Sequence, residues 1–137
     1  MHFTNGLGDI LDFKKGNFTI GPVFVEGNFS FNGIVTVKSG AMVKASINAI
    51  GVHIEDGARV FGSIRAFHLI NQGHVNADIK ANCFHNMGTA ESDVTSEASF
   101  LYNNSLFAGR LEAIKIYHYA KACLYGKKKG EVVEVSR

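Results

Sequence analysis

Apolar and polar residues alternate with period two in short windows that recur along the chain. Six windows align: Val25–Phe31, Val43–Ala49, Val60–Ala66, Val75–Ala81, Ala90–Ser96 and Phe107–Ala113. Their first residues stand 18, 17, 15, 15 and 17 positions apart. The third residue is always tiny: Gly27, Ala45, Gly62, Ala77, Ser92, Gly109. The fifth is always apolar: Phe29, Ile47, Ile64, Ile79, Val94, Leu111. The seventh is Phe31 in the first copy and small afterwards: Ala49, Ala66, Ala81, Ser96, Ala113. Such alternation predicts strands with one buried face, and no copy carries the three-and-four spacing of an amphipathic helix. Six residues before each start stand Thr19, Val37, Ile54, Leu69, Phe84 and Leu101, a second inward set. Gly40, Gly57, Gly73 and Gly88 fall just before the next window, where a corner is expected.

The pattern predicts an all-β, single-domain parallel β-helix, a β-solenoid of about six coils. One coil cannot bury its inner face alone, and stacking makes a continuous core. At about 4.8 Å per coil the rod would be roughly 29 Å long. A β-sandwich would not require six copies in register. The expected organisation is an N-terminal tail or cap over residues 1–17, a β-helix core over 18–113, and a C-terminal cap strand with a basic tail over 114–137. Both open ends of a solenoid are templates for strand pairing. The segments there are apolar, with Phe3, Leu7, Ile10, Leu11, Phe13 and Phe18 before the repeats and Ile114–Tyr125 after them, and they read either as a cap or an irregular seventh coil or as a surface for end-to-end assembly.

Composition narrows the function. The chain has 137 residues, 46% apolar and 19% charged, which fits one domain with a real core. The net charge of +2 and scattered basic residues, Lys127–Lys129 apart, do not point to nucleic acid. No apolar run has the roughly 18 residues of a membrane span, and Met1–Asp12 does not read as a signal peptide. Two cysteines, Cys83 and Cys123, make no disulfide framework, so a reducing cytoplasm is expected. No phosphate-binding glycine loop, HExxH or GxSxG motif occurs.

The tandem copies Gly40-Ala-Met-Val-Lys-Ala-Ser-Ile-Asn-Ala49, Gly57-Ala-Arg-Val-Phe-Gly-Ser-Ile-Arg-Ala66 and Gly73-His-Val-Asn-Ala-Asp-Ile-Lys-Ala81 resemble the bactofilins. These are polymer-forming bacterial cytoskeletal proteins. The resemblance covers about residues 18–113 and is closest over 33–81. It implies a right-handed triangular β-helix that assembles end to end into filaments without nucleotide. It implies a non-enzymatic scaffold with no cofactor. The implied partners are further copies of the chain, cell-envelope or cell-shape enzymes and the inner membrane surface. The implied location is the cytoplasm, at the inner face of the cell membrane. By position it places Val25, Phe29 and Phe31 in the first coil and Phe107 and Leu111 in the last, as self-assembly residues. On this reading Phe107→Arg weakens assembly and leaves the rod folded. The rival resemblance is to the hexapeptide-repeat acyltransferases, trimeric left-handed β-helices with a histidine base, or to a related zinc carbonic-anhydrase-like trimer. Their coils hold close to 18 residues, whereas two successive intervals here are 15.

One column carries candidate chemistry. Seven residues before successive starts stand Thr36, His53, His68, Cys83 and Phe100, with His85 two beyond Cys83. Imidazole and thiolate are good zinc ligands. Without a visible supporting shell, His53, His68, Cys83 and His85 are read first as an exposed polar ladder and second as metal ligands. Asn71, Asn86 and Asn103 share a corner column and are expected to form an amide ladder.

Overall fold

The computed structural model describes residues 11–14, 17–119 and 121–135, without the side chains of 11–14 and 92–95. Two short strands, β1 (Leu11–Lys14) and β2 (Asn17–Ile20), precede six long ones. These are β3 (Phe24–Val37), β4 (Met42–Ile54), β5 (Arg59–Asn71), β6 (His74–Asn86), β7 (Thr89–Asn103) and β8 (Leu106–Tyr119). Two more follow, β9 (Cys123–Tyr125) and β10 (Lys128–Val135). From β2 to β8 each strand pairs in parallel with the next, and β9 and β10 both lie parallel on β8. Among the described strands only β1 is antiparallel, folded back on β2. The protein is a β-solenoid of about seven turns rather than six, because the segment after residue 113 continues the stack. The N-terminal tail or cap expected over 1–17 falls outside the described residues, β1 and Asn17 apart.

The windows pair in the expected register. Val25, Val43, Val60 and Val75 form one buried column, and Phe29, Ile47, Ile64 and Ile79 the next. Inward alternation along β4 runs Val43, Ala45, Ile47, Ala49, then skips to Val52 and Ile54. That skip turns the chain to a second face. The third position is tiny because neighbouring coils approach closely there. A Cβ on Gly62 would fall on the Ala45 carbonyl, and its φ of 127° disfavours any side chain. Gly62→Ala is expected to lower stability by at least about 2 kcal/mol, read from thermal melts.

Two expectations about register are corrected. The inward set counted back from each start mixes three columns, and its first member, Thr19, aligns with half-exposed Thr36 and is not inward, Phe18 and Ile20 being the buried residues there. Leu69, Phe84 and Leu101 align with Val35 and Val52, whereas Val37 and Ile54 align with Asn71, Asn86 and Asn103. The cause is a change of corner length. The step from Ile54 to Val60 takes six residues, and that from Asn71 to Val75 takes four. Long corners close as hydrogen-bonded turns, Ala41 N to Lys38 O and Ala58 N to Glu55 O, with Gly40 and Gly57 at positive φ and Ala41 and Ala58 buried. Short corners lack that inward alanine, and a fully buried asparagine serves instead.

The asparagines do form the ladder. Asn71 Nδ2 donates to Asn86 Oδ1 at 3.1 Å, and Asn86 Nδ2 to Asn103 Oδ1 at 3.0 Å. The same amides donate across the next corner to the carbonyls of Thr89 and Leu106, and Asn103 donates to that of Cys123. Asn71 Oδ1 also accepts from Gly73 N–H. Each buried amide therefore ties its short corner to the corner of the next coil, as burial requires. The ladder stops at His118, where the corner to Leu124 is again six residues long.

The second correction concerns the fifth copy. Ser92 pairs with Gly109 but Thr95 with Arg110, so β7 spends three steps where β8 takes one. These two extra residues put Ser96, not Val94, opposite Leu111 and Ala98 opposite Ala113. Ser96 is fully buried, and its hydroxyl has no hydrogen-bond partner among the described residues. Ser96→Ala is expected to raise stability by about 1 kcal/mol, read from the urea midpoint.

Candidate functional site

The ends of the rod differ. At the N-terminal end the β1–β2 hairpin covers β3 at Ile34–Val37. Phe18 sits 5.9 Å from Phe29 and 5.8 Å from Phe31, ring to ring. Val25 and Phe29 are buried in the core, and Phe31 packs partly buried against it. At the C-terminal end the outer edge of β9 and β10 has no partner strand among the described residues. Leu124 stacks on Phe107, and Val132 on Ile116. Leu124 is half-buried and Val132 is 44% exposed.

Phe107 and Leu111, expected in the last coil, lie one turn inside it under Leu124 and Lys128. Both are buried, so neither presents a surface to another chain. The residues on the end are Leu124, Val132 and Tyr125, in the segments expected as a cap or irregular seventh coil and a basic tail. The seventh copy is nonetheless visible: Leu124, Gly126 and Gly130 stand 17 residues after Phe107, Gly109 and Ala113. Lys128 at the apolar fifth position hides it.

A second feature occupies the outer face of β5 and β6. His53 does not share a column with His68. The short corner shifts the count by two, so His53 aligns with Ile70 and His85, and His68 with Gly51, Cys83 and Phe100. His53 Nε2 instead lies 2.8 Å from Gln72 Oε1. His68, Cys83 and His85 come together, with their ligand atoms all within 4.8 Å of one another. Cys83 Sγ and His85 Nε2 are 3.4 Å apart, and the His68 and His85 rings meet edge to face at 5.9 Å.

The His85 ring is held from its other side. It stacks on Tyr102 at 4.5 Å and 4°, and Tyr102 stacks on Tyr117 at 4.7 Å and 7°. Burial, then nearby His68, pushes the His85 pKa down and favours the neutral imidazole. Burial pushes the Cys83 thiol up, which argues against a free reactive thiolate.

The column of small seventh residues marks a third surface. Ala66, Ala81, Ala98 and Ala113 floor an open groove of about 680 Å³ along the rod, between Phe67 and Ile114 on one bank and Arg65 and Glu112 on the other. Among the described residues no helix is long and apolar enough to cross a membrane.

No curated protein and no solved structure matches the chain. A family model described as Bactofilin, polymer-forming cytoskeletal, matches residues 16–112. That span runs from before β2 into β8 and takes in most of the stacked coils, so the chain belongs to the bactofilin family.

Proposed function

We propose that the protein is a non-enzymatic scaffold whose rods join end to end into filaments without nucleotide. The filaments would lie in the cytoplasm, at the inner face of the cell membrane, and organise cell-envelope or cell-shape proteins. Membership of a polymer-forming family supports self-association. The observation that carries the end-to-end reading is the outer edge of β9 and β10, unpartnered among the described residues and flanked by exposed Val132 and Tyr125. Unpaired N–H and C=O groups on such an edge are satisfied by a further strand, and apolar burial adds to the contact. The opposing surface would be the N-terminal end, around β3 and the β1–β2 hairpin.

Electron microscopy of purified protein without nucleotide, paired with sedimentation over a concentration series, tests this. Filaments that lengthen with concentration are expected. A discrete trimer would contradict the reading and favour a left-handed β-helix enzyme. A monomer at all concentrations would contradict it too.

A further inference from the structure

We propose that His68, Cys83 and His85 form a binding site for one zinc-class divalent cation per chain, with a fourth position open to water or an exchangeable ligand. Filament formation neither requires this site nor is required by it. Three observations carry the proposal.

The donor set is chemically matched. Two imidazoles and one thiolate suit Zn²⁺ and its spectroscopic stand-in Co²⁺, and exclude the oxygen-seeking Mg²⁺ and Ca²⁺. Three protein ligands with a water in the fourth position is an established zinc coordination pattern.

The spacing fits. Tetrahedral zinc with bonds of about 2.3 Å to sulfur and 2.0–2.1 Å to nitrogen separates S and N by about 3.5 Å. The Cys83 Sγ to His85 Nε2 distance is 3.4 Å. The widest ligand separation is no more than 4.8 Å, so closing it to about 3.4 Å takes a small side-chain movement. His68 is exposed and free to make that movement.

The frame is rigid. His68 and Cys83 are direct register partners on β5 and β6, and His85 follows two residues later on the same face. The Tyr102 stack fixes the plane of the His85 ring with Nε2 toward Cys83. A bound ion would therefore link two coils without reorganising either.

The test uses the full chain, stripped with chelator and titrated with Co²⁺ and then Zn²⁺. One equivalent of Co²⁺ is expected to give a thiolate-to-metal charge-transfer absorption, which Zn²⁺ then displaces. Cys83→Ser should abolish the absorption, and His68→Gln should weaken binding by more than about 100-fold. His53→Gln and Cys123→Ser should leave both unchanged. His68 is on the surface, so its variant keeps the test decisive even if Cys83→Ser perturbs folding, which far-UV circular dichroism would reveal. The proposal is overturned if one equivalent gives no charge-transfer band. It is also overturned if the band follows Cys123 or if His68→Gln binds as tightly as the native chain.

Discussion

Asn86→Asp is expected to destabilise the rod strongly near neutral pH and to regain stability in acid. The native amide donates to Asn103 Oδ1 at 3.0 Å and to the Leu106 carbonyl at 2.8 Å, and accepts from Asn71 at 3.1 Å. A carboxylate can only accept. It would lose both donor bonds and set a negative charge against two oxygens in a fully buried place. An uncompensated buried charge costs about 3–5 kcal/mol, a large part of a small domain's total stability.

The pH dependence follows from the same burial. Desolvation raises the introduced carboxyl's folded pKa above its unfolded value of about 3.9. The penalty is therefore small below that value and grows as pH rises toward the folded pKa. Asn86→Ala removes the same bonds without a charge and is expected to cost about 2–3 kcal/mol at every pH. Urea unfolding of both variants at pH 4 and pH 7, each referred to the native chain, separates them. Identical, pH-independent losses would mean that the amide ladder is not what the column contributes.

The second large effect distinguishes core from end. Phe107→Arg is expected to destroy the fold, not merely assembly. Phe107 is 0% exposed, meets Phe84 edge to face at 6.2 Å and lies under Leu124. Losing the ring costs about 3–5 kcal/mol, and the buried guanidinium adds several more. Its filaments would vanish because the rod does. Val132→Arg sits on the exposed last strand and is expected to cost the fold less than about 1 kcal/mol. If Val132 is buried between rods, losing about 1.5–3 kcal/mol of contact raises the concentration needed for assembly about 10- to 150-fold. Circular dichroism and sedimentation on the two variants check both halves. A Val132→Arg protein that assembles like the native chain would remove β10 from the contact.

The sequence made the strands and their stacking legible because one pattern is repeated in space as well as along the chain. Val25, Val43, Val60 and Val75 can be aligned without a structure. Two things were hidden by counting. The corner after Asn71 is two residues short, so residues counted back from Val75 change columns, and His53 lies beside Ile70 rather than His68. The insertion in β7 is silent because Val94 and Ser96 both alternate plausibly. Only the pairing of Ala98 with Ala81 and Ala113 reveals which is inward. The last turn is legible only as an alternative to a cap, since an end coil tolerates Lys128 where the interior demands Leu111. The gathering of His68, Cys83 and His85 was legible from their two-strand spacing. The tyrosine stack that orients His85 was not, because outward residues carry no periodic apolar signal.

The central claim is that rods add along their own axis. Diffraction from oriented filaments tests it most directly. The coils repeat at about 4.8 Å. End-to-end assembly places that reflection along the filament axis, with a subunit repeat near that of about seven turns, roughly 34 Å. A 4.8 Å reflection perpendicular to the filament axis would mean that the rods pack side by side, and would contradict the account.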